Sequence, residues 1–369
     1  MRKLFTVILG ISILACLSIF AERTMYVKHK TAGVMSFKVS AKDSLYFWNT
    51  VADKDADESE LMMYVMTANN GLKSIPYKQV DSIYFSKTES SVVDEKDYKK
   101  DGALIKAAFK VSDTKSVYFS QGNLQFNAMQ GTHKTADGNA KGTWRFAENQ
   151  YDVIGKENKN VDSTYNGWID LFGLGTSGAD LQPWDLNYSI SSFTANKDWG
   201  VYNAISNGGN EPNKWRTLTT SEWRYLYQKN KWTLGYIWGK GYCFMLIPET
   251  FTAPEGITVE VIGTANIPND AGRKVTVPTN NKYTTEQFAS LEKLGVVALP
   301  CGGYRYVVYV HDVVSSGYYW SSSYYWSPSG YGTSTTHAYA FNFSSTVVYP
   351  VSIEELSNGM SVRLVQDVQ

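Results

Sequence analysis

The stretch GYYWSSSYYWSPSGYG, residues 317–332, holds five tyrosines, two tryptophans and five serines and carries no formal charge. A strand buried on both faces seldom carries so many hydroxyls, because each needs a partner. A flexible linker has no use for the aromatics. Tyr and Trp give contact area at low rotamer cost, and Ser and Gly let neighbouring loops adapt, which is the composition of a binding surface. Ten of the 26 tyrosines, with ten serines among them, fall between Tyr304 and Tyr349. Within that span YAFNF, residues 339–343, alternates like a half-buried strand, so Phe341 and Phe343 are expected inside. The unpatterned YYWSPSGYG, residues 324–332, is expected on display.

The chain around this stretch has 369 residues, enough for two or three domains. Its 35 basic and 35 acidic residues cancel, so no global field attracts nucleic acid or anionic lipid. Abundant aromatics (14%) and sparse charge (19%) fit a folded, strand-rich, exported protein. Arg2 and Lys3 precede an uncharged apolar run, Leu4 to Phe20, and Ala21 stands where a small residue is wanted for cleavage. Residues 1–21 therefore read as a signal peptide cleaved after Ala21. The alternative is a lipoprotein whose acceptor is Cys16, the end of ILAC. The mature chain is expected to have no transmembrane segment, because no second apolar run follows.

Two cysteines remain, Cys243 and Cys301, each in an apolar run. Export permits a bridge between them, and buried free thiols are the alternative. Neither has the spacing of a metal site and the four histidines are scattered, so neither metal nor cofactor is expected.

Residues 25–49 and 63–87 align without a gap, with nine of 25 positions identical, including Met25/Met63, Gly33/Gly71, Asp43/Asp81 and Phe47/Phe85. Each unit reads as strand, Gly turn, strand, then an Asp-Ser step into a third short strand. Between them VADKDADESE is an acidic loop. Residues 22–87 thus form a two-unit β-repeat module, and the polar, unpatterned residues 88–106 read as a linker. FKVSDTKSVYF, from Phe109, echoes FKVSAKDSLYF from Phe37, as a third repeat or as a common strand-turn-strand solution.

Residues 107–369 read as one strand-rich α+β domain with two helices. Thr219 and Glu222 have capping-box spacing ahead of an apolar stripe of Trp223, Leu226 and Tyr227. Thr284 and Gln287 form the second box, Phe288, Leu291 and Leu294 face inward, and Gly295 stops the helix.

VYFSQGNLQF, TWRFAENQYDVIG, STYNGWIDLFGLGTSG, NKWRTLTTSEWRYLY, IPETFTAPEG, ASLEKLGVVALPCGGYR, GYYWSSS and NGMSVRLV run in order from Val117 to Val365. In these stretches the domain resembles the bacterial C-type-lectin-like domains of the formylglycine-generating-enzyme type, and is similar to the variable proteins of diversity-generating retroelements. The resemblance implies a compact scaffold whose C-terminal strands and loops display a ligand-binding face. That face would run from after Arg305 to just before Ser361, with WSSS and SVRLV as scaffold. Its candidate residues are Tyr306, Tyr309, His311, Tyr324, Tyr325, Trp326, Tyr339, Asn342, Thr346, Tyr349, Glu354, Glu355 and Asn358. Two departures from the pattern stand out: the insert YYWSPSGYGTSTTH is long, and IEELSNG is more acidic and apolar than the usual run.

Other motifs are decoys. EPN, residues 211–213, matches the sugar- and calcium-binding triplet of lectins, but it precedes a helix and no WND follows. GLGTSG, residues 173–178, has the spacing of a dinucleotide loop without a helix behind it. Formylglycine chemistry would need a close cysteine pair near the C-terminus, and none follows Cys301. His311 and Asp312 are adjacent, but no nucleophile elbow accompanies them. The expectation is a secreted or cell-surface binding protein, not an enzyme, with a protein or glycan ligand at the cell exterior. The rival is a structural subunit that assembles with identical copies through the same face.

Overall fold

A computed structural model describes residues 23–29, 33–39, 44–49, 61–67, 71–76, 80–87, 98–131, 142–176, 193–263, 273–326 and 333–368. The expected signal peptide, the acidic loop at 51–60 and the first ten residues of the expected linker lie outside these. The chain divides into two compact units, residues 1–93 and 94–369.

The first unit contains β1 (Arg23–His29), β2 (Gly33–Val39), β3 (Ser44–Asn49), β4 (Leu61–Thr67), β5 (Gly71–Pro76) and β6 (Val80–Lys87), three strands from each repeat. They form two antiparallel sheets, ordered β2-β1-β6 and β3-β4-β5. Each sheet therefore combines the first two strands of one repeat with the third strand of the other. The register keeps the internal symmetry: Met25 faces Phe85 as Met63 faces Phe47, and Tyr26 faces Tyr84 as Tyr64 faces Tyr46. The repeat visible in the sequence is thus not a self-contained hairpin; its third strand completes its neighbour.

In the second unit the strands that matter here are β7 (Ser116–Phe119), β8 (Leu124–Asn127), β9 (Thr143–Phe146), β10 (Arg216–Thr217), β11 (Lys231–Ile237), β12 (Gly241–Ile247), β13 (Arg273–Lys274), β14 (Val297–Pro300), β15 (Tyr304–Tyr306), β16 (Tyr309–His311), β17 (Ser316–Trp326), β18 (Thr333–Ser344), β19 (Val347–Glu355) and β20 (Leu364–Asp367). The helices are α1 (Trp199–Tyr202), α2 (Thr220–Lys229) and α3 (Thr285–Glu292). This is a strand-rich α+β unit. Its early strand β7 pairs with its last, β20, which also carries β10, so the two ends of the unit are tied together. A second sheet runs Lys282–Tyr283, β11, β12, β14, and a third runs β13, β19, β18, β17.

Both expected capping boxes form, with the Thr219 and Thr284 side chains accepting from the N–H groups of Glu222 and Gln287. The one-turn α1 was not expected; Asp198 caps it through the N–H groups of Gly200 and Val201. Residues 98–106 differ from the linker reading. Tyr98, Ala103 and Leu104 are buried, Lys99–Lys100 pairs with Ala103–Leu104, and Lys99 reaches Glu292 at 3.2 Å. A polar surface pattern there hid two buried apolar residues that open the second unit.

Two large apolar clusters meet at β17 and β18. Tyr319, Phe341 and Phe343 belong to one, with Trp223 stacked on Phe341 at 4.9 Å. Trp320, Ala338 and Ala340 belong to the other, with Trp144, Phe172 and Trp199. The middle of this sheet is therefore covered on both faces.

Candidate functional site

WSSS decides what the sheet can expose. In the β17–β18 pairing Trp320 faces Ala340 but Tyr324 faces Ala338, so β17 spends four steps where β18 spends two. The extra residues form a bulge, and the serines use it to hold α2. Ser321 donates to the Tyr339 carbonyl at 2.7 Å and shares a 2.8 Å bond with Thr220. The Ser322 N–H donates to the Leu218 carbonyl, and Ser323 accepts from the Thr220 N–H. Trp320 donates to the Phe172 carbonyl, and Tyr319 to the Pro300 carbonyl, both at 2.7 Å. The hydroxyls are thus satisfied inside, and this half of the aromatic stretch is scaffold.

The exposed aromatics lie one hairpin earlier. In β15 alternation buries Arg305 completely and turns Tyr304 and Tyr306 the other way. Tyr306 and Tyr309 are 52% and 66% exposed, and Val307 and Val308 between them are 47% and 45% exposed. Val307 sits at φ 55°, a left-handed conformation that costs a β-branched residue on the order of 1–2 kcal/mol. The turn is held by the Arg305 guanidinium, which donates to the Val307 carbonyl at 3.0 Å. Below the tip, the Gly359 and Arg305 backbones exchange hydrogen bonds of 2.8 Å, joining the hairpin to the segment after β19.

That junction forms an open cleft of about 520 Å³. The hairpin contributes Tyr304, Tyr306 and His311, β18 contributes His337, and the end of β19 with its following turn contributes Ile353, Glu354, Glu355 and Asn358. Tyr304 stacks on His311 at 5.2 Å and meets Tyr318 edge-on at 5.1 Å. Glu354 is half-buried and accepts from Asn342 at 3.4 Å. Burial pushes its carboxyl up, Ser352, Asn342 and His337 pull it back, and Glu355 pushes the same way as burial. Burial also pushes Tyr318 up to about 12, with Asp312 adding to it.

Of the thirteen candidate residues, Tyr306, His311, Glu354, Glu355 and Asn358 line this cleft, and Asn342 supports Glu354 from behind. Tyr309 stands at the exposed tip, and Thr346 and Tyr349 are exposed on the far end of the sheet. Tyr325 and Tyr339 are half-buried against one another, their rings edge-on at 5.6 Å. Tyr324, expected on display, is half-buried beside Phe193 at 6.5 Å and packs on the core, because the bulge returns it to the inner face. The side chain of Trp326 and residues 327–332 lie outside the described residues. Tyr304, His337 and Ile353 line the cleft without having been singled out from sequence. Tyr304 was reachable by strand period, since it is two residues from Tyr306; His337 depended on a register that only the fold supplies.

No family model matches the chain, and no curated protein or solved structure matches it.

Cys243 lies on β12, opposite Pro300, and Cys301 follows directly after β14; both thiols are free and buried. Burial pushes Cys243 up to about 12 and Cys301 well above its ordinary value, which suppresses the thiolate. His311 stacks on Tyr304, and Asp312 accepts from Tyr318 at 3.4 Å. Among the described residues no group of three or more His, Cys, Asp or Glu is placed to hold a metal. The described part of GLGTSG, Gly173–Thr176, is a turn closed by Thr176 donating to Gly173. No helix of the described residues is long and apolar enough to cross a membrane.

Proposed function

We propose that the chain is an exported, surface-associated binding protein whose C-terminal unit recognises a ligand without chemical change. The observation that carries this reading is the convergence of Tyr306, His311, Glu354, Glu355 and Asn358, expected on a display face, at one open cleft. They come from segments about fifty residues apart, held by a scaffold in which Trp320, Ser321 and Ser323 bond internally. The likeness to the variable proteins of diversity-generating retroelements supports the same reading. A protein or glycan at the cell exterior is the expected ligand class.

A second reading is self-assembly through this face, favoured by the exposed run Tyr306–Tyr309 at the hairpin tip. One experiment separates them. The mature chain is panned against a displayed random-peptide library and a glycan array, and its mass is followed by light scattering across a wide concentration range. Binding by a monomer, lost in Tyr306→Ala, is the expected result. A concentration-dependent oligomer that dissociates in Tyr306→Ala, with no ligand selected, would favour assembly instead.

A further inference from the structure

The cleft offers mostly acceptors. Glu354 and Glu355 bring two carboxylates, and no Lys or Arg is among the described lining residues. Arg305, the nearest cation in sequence, is completely buried on the opposite side of β15, where its guanidinium donates to Val307 and lies under Gly359. No Lys or Arg is among the influences on the Glu354 carboxyl: burial and Glu355 raise it, while the hydrogen bonds of Ser352 and Asn342 and the charge of His337 lower it. With two carboxylates and no Lys or Arg in its lining, the cleft presents an acidic surface. A third acceptor points the same way: Asn358 Oδ1 is buried and accepts no hydrogen bond from the described chain. A buried acceptor without a donor is costly, and a donor-rich ligand removes that cost.

Ring faces accompany the acceptors. His311 lies against Tyr304, and the rings of Tyr306 and Tyr309 are more than half exposed at the rim. Carboxylates beside aromatic faces favour a cation, because the ring quadrupole and the carboxylate attract the same charge. A planar guanidinium can also bond a carboxylate in bidentate fashion while stacking on a ring. Val307, Val308 and Ile353 are all exposed; Ile353 lines the cleft, and the two valines stand at the tip of the hairpin that walls it. Exposed aliphatic groups there suit the stem of a long side chain and the residues flanking it. A free polyamine would leave that apolar surface uncovered. A neutral glycan would leave the two carboxylates without a counter-charge.

We propose that this cleft binds a basic side chain, arginine first, presented by a protein partner. The proposal rests on the binding reading above and adds the chemical class of the ligand. The test is saturation-transfer NMR on the mature chain with N-acetyl-arginine methylamide, its neutral isostere N-acetyl-citrulline methylamide, spermidine and a panel of methyl glycosides. The arginine probe should receive saturation and citrulline should not. Replacing Glu354 and Glu355 by Gln should weaken arginine binding by at least about tenfold, since the loss of even one charged hydrogen bond implies that much. The single exposed change Glu355→Gln keeps the test open if the double variant does not fold.

Citrulline binding as well as arginine, or arginine binding unchanged in both variants, would overturn the assignment. Spermidine binding in place of arginine would overturn the protein source. Glycosides that bind and are lost in Tyr306→Ala, with no preference for charge, would leave the display face standing and remove the cation. Silence from every probe would also overturn the cation assignment, while library panning would still decide whether the face binds anything.

Discussion

Among single residues, type alone does not separate display from scaffold. Tyr319 is completely buried and donates to Pro300, whereas Tyr306 is half exposed. What divides them is strand period and the bulge, and only the first of these is written locally. Phe341 and Phe343 follow the alternation and are buried as expected. Tyr324 departs from expectation because its face is set by a bulge no local pattern announces. Buried carboxyls give a pH prediction. Burial pushes Asp170 up to about 6 and raises Asp198 as well, against the hydrogen bonds each accepts. A carboxyl that holds its proton more tightly when folded stabilises the fold below its unfolded value, near 4. That contribution is lost as pH rises through the folded value. Asp367 acts oppositely: bonds from Arg216 hold it low, so its contribution is present above about pH 4 and lost on further acidification. Thermal unfolding followed by circular dichroism should show a midpoint that rises from about pH 7.5 to about pH 5 and falls below about pH 4. In Asp170→Asn the upper limb should flatten, by on the order of 2 kcal/mol in stability. A midpoint that falls steadily from neutral pH would contradict this.

Secondary-structure elements were legible where their signals are local. Both capping boxes lie within four residues of sequence, and both form as read. The one-turn α1 has no room for an apolar period, and it was missed. Strand positions in the repeat module were also legible, but their partners were not, since pairing β1 with β6 spans the whole unit. The serine bulge of β17 makes a sharper element-level claim. Ser321 satisfies the Tyr339 carbonyl and Thr220, thereby fixing the start of α2 against the sheet. Ser321→Ala should cost about 1–2 kcal/mol, read as a lower urea midpoint with an unchanged slope. An unaltered midpoint would mean that the bulge is held by the flanking serines alone.

For the whole molecule, composition and the density of short strands were enough for the strand-rich α+β class. The boundary of the second unit was less legible: Lys99 pairs with Glu292, and Leu104 joins a core otherwise built from residues 109–365. A buried network then links distant segments. Arg363 donates to Gln150 at 3.1 Å, Gln150 donates to Glu292 at 3.0 Å, and Asn123 donates to Tyr319 at 3.3 Å. This network and the apolar clusters fix the base of β17, so the hairpin and the end of β19 meet as one cleft. The candidate residues were legible as a set of types, while the cleft they share required the register of three strands. On the proposed binding reading, labour divides between the packed scaffold and the exposed surface that carries Tyr306 and Tyr309. The most direct test measures melting temperature and binding of a library-selected ligand on the same three proteins: wild type, Tyr306→Ala/Tyr309→Ala and Trp320→Ala. The surface pair should change stability by less than about 1 kcal/mol yet abolish binding, whereas Trp320→Ala should cost about 3–5 kcal/mol. A surface pair that binds like wild type, or that unfolds the unit, would contradict the account.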